Sequence, residues 1–231
     1  MSPLDRIGLG ETVVIRVERG DGRPRCVAFD LDGVLVDTDE LHYVALNMAL
    51  RRFGAHISAT EHFARYKGLP TRVKCRMLTE AGQLPADAHE RVFTDKQQHT
   101  ATAIGLTVHP APEKLALLER LASDGWRLCV CSNAIRDTVM ALVEALGATR
   151  FLDFFLSNED VDIPKPSPGM YVEAARRFGI PPADLVVVED APPGVAAAVA
   201  AGCRVVRVGG PSDVDVSLLE RIRNGMPEGQ R

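Results

Sequence analysis

Three aspartates follow one short apolar run near the start of the chain. Asp30, Asp32 and Asp37 lie in the segment FDLDGVLVDT, directly after the residues CVA. Carboxylates held this close repel one another, so a fold keeps them together only with a cation or a proton between them. The segment therefore predicts a site that binds a cation or shares a proton, and the charged residues elsewhere in the sequence indicate its chemistry.

Short strand-like runs alternate with helical patterns from Arg25 onward. This alternation predicts an α/β fold, with a Rossmann-like parallel sheet and helices on both of its sides. The strand candidates are CVAF (26–29), RLCVC (127–131), FFL (154–156), LVVV (185–188) and RVVRV (204–208). The later helical patterns lie at about 112–123, 136–146, 168–178 and 193–201, and Ser167 before Pro168 is typical of a helix start.

Polar residues stand at the ends of several predicted strands. In a parallel sheet, ligands bind at the carboxyl ends of the strands, so residues there are expected to converge. The first, second and fourth strands end at, or lead into, such residues, and one lysine follows the third: Asp30, Ser132, Asn133, Glu189, Asp190 and Lys165.

This set fits the transfer of a phosphoryl group, whose negative charge must be screened from a negative nucleophile. Mg²⁺ prefers one or two carboxylates, waters and phosphate oxygens, and Asp30 and Asp190 with Glu189 beside them can supply the carboxylates. Aspartate can attack phosphorus and form an aspartyl-phosphate intermediate. Lys165 would offset the charge on the nucleophile and on the transferred group.

The remaining polar residues fit supporting roles in the same reaction. Asp32, two residues beyond Asp30, is close enough to donate a proton to the leaving oxygen and later to take one from water. Ser132 and Asn133 would donate hydrogen bonds to phosphate oxygens.

The stretch from 39 to 107 has helical patterns throughout and no strand candidate, and its segment SATE fits a capping box. We interpret it as a helical insert between the first and second strands of the sheet. The predicted organisation is an N-terminal extension (1–24), an α/β core (25–38 and 108–231) and the helical insert (39–107).

Four ordered motifs resemble those of the haloacid dehalogenase superfamily, over roughly Arg25 to Gly210: VAFDLDGVLVDT, LCVCSNA, KPSPGMY and VVVEDAPPGVAAAVAAG. The resemblance implies that Asp30 is the nucleophile and a metal ligand. It also implies that Asp32 is the acid/base and binds metal through its backbone carbonyl. Glu189 and Asp190 would complete the metal site, while Asp37 is expected to be structural.

Two further groups of residues are carried over from the same resemblance. The loop Ser132–Ala134, which includes Asn133, would bind the phosphate. The helical insert looks like the cap of the β-phosphoglucomutase-like subfamily, which implies substrate contacts from His42 and from the pair Lys67 and Gly68. Arg72 is a further candidate for a substrate phosphate or carboxylate, although the segment LPTR departs from the mutase pattern.

The sequence therefore predicts a Mg²⁺-dependent phosphatase acting on a small phosphorylated metabolite, a sugar or sugar-acid phosphate. The loop SNA resembles that of the phosphatases more than that of the mutases. A β-phosphoglucomutase-type phosphomutase is the alternative. A haloalkanoate dehalogenase would not need Asp32 or the acidic pair, and an aspartate phosphoacceptor without turnover would be shorter and lack the insert.

Composition restricts the partners and the compartment. The 231-residue chain has a net charge of −4, which disfavours nucleic-acid binding, and its sequence has no apolar membrane span. Five cysteines without a disulfide framework indicate a reduced, cytoplasmic protein, with Cys129 and Cys131 packed in the core. We expect a monomer or a small homo-oligomer.

Overall fold

The centre of the fold is a parallel sheet of five strands in the order β3-β2-β1-β4-β5. A computed structural model describes residues 25–67 and 69–224. The strands are β1 (Arg25–Phe29), β2 (Trp126–Cys131), β3 (Phe154–Leu156), β4 (Leu185–Glu189) and β5 (Arg204–Arg207). The predicted α/β fold and its five strands are confirmed, and the N-terminal extension lies outside the described residues.

The α-helices of the described residues alternate with these strands or form the insert. They are α1 (Asp39–Arg51), α2 (Ala59–Glu61, continued by a π-helix over His62–Tyr66), α3 (Thr71–Glu80), α4 (His89–Thr107), α5 (Pro112–Ser123), α6 (Arg136–Ala145), α7 (Gly169–Phe178), α8 (Pro192–Ala200) and α9 (Leu219–Asn224). The expectation for the start of α7 was wrong in detail, because Pro168 precedes the helix and Ser167 makes no capping hydrogen bond to it.

Each face of the sheet is covered by its own set of helices, because successive side chains of a strand point to opposite faces. Val27 and Phe29 of β1 pack in one cluster with residues of α5, α6 and α9. Cys26 and Ala28 pack in the other cluster with residues of α7 and α8. Cys129 and Cys131 are fully buried in this second cluster, which confirms their predicted core packing.

The helices between β1 and β2 have an apolar cluster of their own. Leu46, Leu50, Leu78 and Val92 bring α1, α3 and α4 together there. At the other end of α4, Ile104 packs into the cluster of the sheet. The inserted helices therefore form a separate body that is anchored on the core, and the exact domain boundaries remain a prediction.

The predicted capping box lies at the start of α2. Ser58 accepts a hydrogen bond from the backbone N–H of Glu61, and the Glu61 carboxylate accepts one from the backbone N–H of Ser58, so the predicted capping box is confirmed.

Across residues 25–67 and 69–224, each helix is too short or too polar to cross a membrane.

Truncation of a leucine in the sheet should be much more costly than truncation of an exposed one. Leu128 of β2 is fully buried, whereas Leu106 of α4 is 71% exposed. We expect Leu128→Ala to lower the free energy of unfolding by about 2–5 kcal/mol, because it leaves a cavity in the core. Leu106→Ala should change it by less than about 0.5 kcal/mol. Urea denaturation measures both, and equal losses would contradict the described core.

Candidate active site

The carboxyl edge of the sheet brings together residues that are far apart in the sequence. Parallel register pairs Phe29 of β1 with Val130 of β2 and with Val188 of β4. Asp30 continues β1, and its backbone N–H donates to the carbonyl of Val188 at 2.9 Å. Asp30 therefore lies level with the end of β4, where Glu189 is the last residue of the strand.

Lys165 joins the carboxylates of these two strands. Its ammonium donates to Oδ1 of Asp30 at 2.6 Å and to Oε1 of Glu189 at 2.8 Å. All three side chains are buried, which makes the mutual pairing a condition for keeping them charged. The sequence predicted that Lys165 would offset charge here, and the structure brings it to Asp30.

Asn133 fixes the backbone of Lys165. Its side-chain amide donates to the carbonyl of Lys165 at 3.0 Å and accepts from the N–H of Lys165 at 3.0 Å. The side chain predicted to bind phosphate thus has both of its polar atoms engaged with the loop after β3. In this arrangement Asn133 positions Lys165.

The third residue of the loop after β2, Ala134, was predicted to bind phosphate with Ser132 and Asn133. Its backbone N–H donates to the Ser132 hydroxyl at 3.0 Å.

Burial and the neighbouring charges both shift the pKa values of Asp30 and Lys165. Burial raises the pKa of Asp30, as do the neighbouring carboxylates of Glu189 and Asp32, whereas Lys165 lowers it. Burial acts to lower the pKa of Lys165, but attraction to Asp30 and Glu189 raises it well above its usual value. One ammonium thus faces several carboxylates, and a second cation would favour the ionised form of Asp30.

Glu189 is held from both sides. Its Oε1 accepts hydrogen bonds from Lys165 and, at 2.9 Å, from the hydroxyl of Tyr171. Its Oε2 accepts from the backbone N–H groups of Asp190 at 3.0 Å and Ala191 at 3.2 Å. Burial raises the pKa of Tyr171, so its hydroxyl stays a donor. Sequence reasoning missed Tyr171, although it ends the quoted motif KPSPGMY.

Asp30, Glu189 and Asp190 fit a hard divalent cation such as Mg²⁺. One carboxylate oxygen from each lies within 4.8 Å of the others. Among the residues that the structure describes, Oδ1 of Asp190 is buried without a hydrogen-bond partner, which is costly unless a cation or water binds it. Both oxygens of Glu189 already accept hydrogen bonds, so Asp30 and Asp190 would contact such a metal with Glu189 beside them, and direct ligation by Glu189 stays a prediction.

A glycine allows Asp190 to approach the turn after β1. Gly33 has φ of +87°, and a Cβ built there would lie 2.3 Å from Oδ2 of Asp190. A larger residue would be strained and would also displace this carboxylate.

Asp32 belongs to a second group of contacts, which reaches the inserted helices. Its Oδ1 accepts from the Thr38 hydroxyl at 2.6 Å and lies 3.4 Å from Nε2 of His42, while its Oδ2 accepts from Ser132 at 3.0 Å. Burial acts to raise the pKa of Asp32, but the contacts with His42, Thr38 and Ser132 outweigh it and hold the pKa below its usual range. Nδ1 of His42 is 3.2 Å from the ammonium of Lys96 on α4.

Thr38 and Lys96 were not singled out from the sequence. Thr38 closes the segment FDLDGVLVDT, so its position beside the aspartates was a usable signal. Lys96 stands in the polar segment DKQQH and carries no local signal, because only the packing of α4 against α1 brings it to His42. Ser132, predicted to donate to phosphate, donates to Asp32 instead.

The other predicted cap residues have partners within the cap. Lys67 pairs with Asp39 at the start of α1, and Gly68 lies outside the described residues. The guanidinium of Arg72 donates to both carboxylate oxygens of Glu90, at 3.2 and 2.8 Å, and lies 4.0 Å from the ring centre of Phe93. The structure therefore does not bring Arg72 to the carboxylates of the core.

The close contact between Gly194 and Glu189 gives a test of this arrangement. A Cβ at Gly194 of α8 would lie 1.6 Å from Oε1 of Glu189. We expect Gly194→Ala to lower the free energy of unfolding by about 1–3 kcal/mol, because the buried carboxylate must move. Gly105→Ala is the matched control, since a Cβ on this helical glycine of α4 would have no atom of the described residues within 4 Å. Alanine should leave stability there unchanged or raise it by up to about 1 kcal/mol. Thermal denaturation measures both, and equal effects would contradict the contact.

Comparison with known proteins gives the relatives of this chain. A probable pseudouridine-5'-phosphatase of Drosophila melanogaster is 34% identical over 199 residues, covering 80% of this chain and 81% of that protein. Hexitol phosphatase A of Escherichia coli is 33% identical over 186 residues, covering 80% and 83%. The crystal structure of CbbY from Rhodobacter sphaeroides in complex with phosphate has the same fold, with a TM-score of 0.73 at 24% identity, covering 81% of this chain and 87% of that one.

The family assignment follows from the sequence match as well as from these relatives. The family described as haloacid dehalogenase-like hydrolase matches residues 27–208, which include the four motifs and the carboxyl edge of the sheet. The predicted superfamily and the predicted hydrolase class are confirmed. The chain belongs to the haloacid dehalogenase-like hydrolases.

Proposed function

We propose that the protein is a Mg²⁺-dependent phosphatase that hydrolyses a small phosphomonoester, a sugar or sugar-acid phosphate, through an aspartyl-phosphate intermediate. The observation that carries the proposal is the buried carboxylate of Asp30, held by Lys165 next to Asp190, with Asp32 two residues further along. Two of the relatives are a probable pseudouridine-5'-phosphatase and a hexitol phosphatase, and this supports a small phosphorylated substrate.

In the first half of the reaction, a carboxylate oxygen of Asp30 attacks phosphorus and the bond to the leaving oxygen breaks. Asp32 donates a proton to that oxygen, which departs as an alcohol. The contacts of Asp32 favour its ionised form, so we expect it to gain this proton when a phosphate dianion brings negative charge beside it.

In the second half, Asp32 takes a proton from a water molecule whose oxygen attacks phosphorus. The bond between phosphorus and Asp30 breaks, and inorganic phosphate leaves. Lys165 keeps its contacts to Asp30 and Glu189 and offsets negative charge throughout. Mg²⁺ bound by Asp30 and Asp190, with the backbone carbonyl of Asp32, would screen the phosphoryl group from the nucleophile.

Removal of the nucleophile tests the proposal directly. Phosphate release from a panel of esters, including 6-phosphogluconate and hexose 6-phosphates, is measured for the wild type and for Asp30→Asn. We expect the variant to lose at least about 10³-fold in kcat, because an amide oxygen does not form the intermediate. Asp37→Asn is the control, since the side chain of this exposed aspartate accepts one hydrogen bond among the described residues, from the N–H of Asp39.

Chelation belongs to the same experiment. We expect EDTA to abolish phosphate release and added Mg²⁺ to restore it. Asp30→Asn activity within tenfold of the wild type would contradict the proposed nucleophile. Transfer of phosphate within a sugar phosphate without free phosphate would instead indicate a phosphomutase.

The hydroxyl of Tyr171 should support turnover without contacting the substrate. We expect Tyr171→Phe to lower kcat about tenfold at nearly unchanged KM, because Glu189, which accepts from Lys165, then loses the hydrogen bond that fixes its own carboxylate. Tyr66→Phe is the control, since Tyr66 is a similarly buried tyrosine in the inserted helices. Steady-state kinetics separates the two constants. A change confined to KM, or an equal loss in both variants, would refute the positioning role.

A further inference from the structure

The loop between β3 and α7 carries Lys165, but the strand that leads into it is a weak anchor. β3 (Phe154–Leu156) has three residues, lies at the edge of the described sheet and pairs there with β2 alone. Lys165 must nevertheless keep its ammonium at 2.6 Å from Asp30 and at 2.8 Å from Glu189. A displacement of about 1 Å can cost an active site a large factor in rate. Contacts beyond the strand therefore have to hold this loop.

Asp160, which precedes Lys165 in this loop, concentrates several such contacts on one carboxylate. Its Oδ2 accepts hydrogen bonds from the backbone N–H of Ser157 at 2.9 Å and from the Ser157 hydroxyl at 2.7 Å. Its Oδ1 accepts from the guanidinium groups of Arg136 at 2.9 Å and Arg177 at 3.0 Å. The Asp160 side chain is 5% exposed, so these contacts differ from exposed ion pairs, which contribute little to stability.

The negative charge of Asp160 is required by this set of donors. Burial acts to raise the pKa of Asp160, but the hydrogen bonds from Ser157, Arg136 and Arg177 outweigh it and lower the pKa to about 2. The carboxylate therefore stays ionised at neutral pH. An amide in its place would be neutral and would turn an NH2 group toward N–H donors that need an acceptor.

The arginines that bind Asp160 belong to the helices on either side of its loop. Arg136 begins α6, directly after the loop that follows β2, and Arg177 lies in the last turn of α7. These two helices cover opposite faces of the sheet. Close to Asp160 in the chain, the backbone N–H of Asn158 donates to the carbonyl of Ala134 at 3.0 Å. Asp160 therefore connects the loop between β3 and α7 to both helices, next to the point where that loop meets the loop after β2.

We propose that Asp160 is a positioning residue of the reaction, whose charge holds the loop between β3 and α7 so that Lys165 keeps its contacts with Asp30 and Glu189. This inference rests on the proposed phosphatase function and adds a residue that touches none of the reacting atoms. Asp160 acts through Lys165, which offsets the negative charge of the transferred phosphoryl group. A loosened loop should therefore slow the chemical step more than it weakens substrate binding.

Two substitutions of Asp160 and one control substitution test the role of its charge. Asp160→Asn keeps the size of the side chain and removes the charge. Asp160→Glu keeps the charge, and glutamate is common at the position that Asp160 occupies in its capping box with Ser157. Asp124→Asn is the matched control, because Asp124 also pairs with two arginines, Arg120 and Arg223, but precedes β2 at the opposite end of that strand.

Steady-state kinetics is measured in the presence of Mg²⁺ with the ester of the panel that the wild type hydrolyses fastest. We expect Asp160→Asn to lower kcat about tenfold at a KM within about twofold, and Asp160→Glu to stay within about threefold of the wild-type kcat. Asp124→Asn should leave both constants unchanged. An unchanged kcat, a change confined to KM, an equal loss in Asp124→Asn, or an Asp160→Glu variant as slow as Asp160→Asn would overturn the proposal.

Hydrogen exchange of the backbone amides separates the failure of this inference from the failure of the phosphatase function, because it needs no substrate. We expect the segments 132–136 and 162–167 to exchange at least about tenfold faster in Asp160→Asn than in the wild type, while the strand segment 185–189 exchanges at the wild-type rate. In Asp124→Asn, the segments 132–136 and 162–167 should exchange as in the wild type. Faster exchange confined to 157–161, or no faster exchange, would overturn the inference.

If the wild type releases phosphate from no ester, the proposed function fails, and hydrogen exchange alone decides whether Asp160 holds the loop of Lys165. If Asp160→Asn does not fold, Arg136→Gln takes its place in both experiments, because it removes one of the arginines that donate to Asp160. We then expect a loss of at least about threefold in kcat and faster exchange in the same two segments. Wild-type values for both would overturn the proposal.

Discussion

The ammonium of Lys165 lies between the carboxylates of Asp30 and Glu189, and all three are nearly excluded from water. An ionised carboxylate at such depth is tolerated only when it is paired and hydrogen-bonded. The rest of the site follows from this condition. Asn133 ties the loop of Lys165 to the end of β2, and Tyr171 completes the contacts of Glu189 from α7. The segments at the carboxyl ends of the four strands β1 to β4 are thereby held around one positive charge.

Asp32 has a different set of contacts from Asp30, although the two are only two residues apart. Hydroxyl groups of Thr38 and Ser132 hold it, and its link to charge runs through His42 to Lys96 on the inserted helices. The side chain of the proposed nucleophile, Asp30, is therefore held by residues of the core, whereas the proposed acid/base, Asp32, also contacts His42 of the inserted helices. Neighbouring carboxylates with different environments are the usual means by which one site performs both nucleophilic attack and proton transfer.

The sequence was sufficient to predict the strands, which depend on local pattern, and the residues at the edge of the sheet, which depend on strand order. Apolar runs predicted all five strands, and the rule that parallel strands end at one edge predicted that Asp30, Glu189 and Asp190 lie together, as they do. It did not reveal what each side chain contacts. The amide of Asn133 was expected on phosphate and instead binds the backbone of Lys165, because a contact across 32 residues leaves no periodic trace.

The two cations of α3 illustrate the same limit within one helix. Arg72 and Lys74 are two residues apart, which places them about 200° apart around the axis. The sequence offered Arg72 as a candidate for a substrate phosphate or carboxylate, because a guanidinium suits both groups. In the structure, Lys74 shares the buried face of α3 with Cys75 and Leu78, while Arg72 pairs with Glu90 on the exposed side. The chemistry of a side chain can be read from the sequence, but which face of the helix is buried depends on the packing of the inserted helices, and a contact such as that between Arg72 and Glu90 follows from that packing.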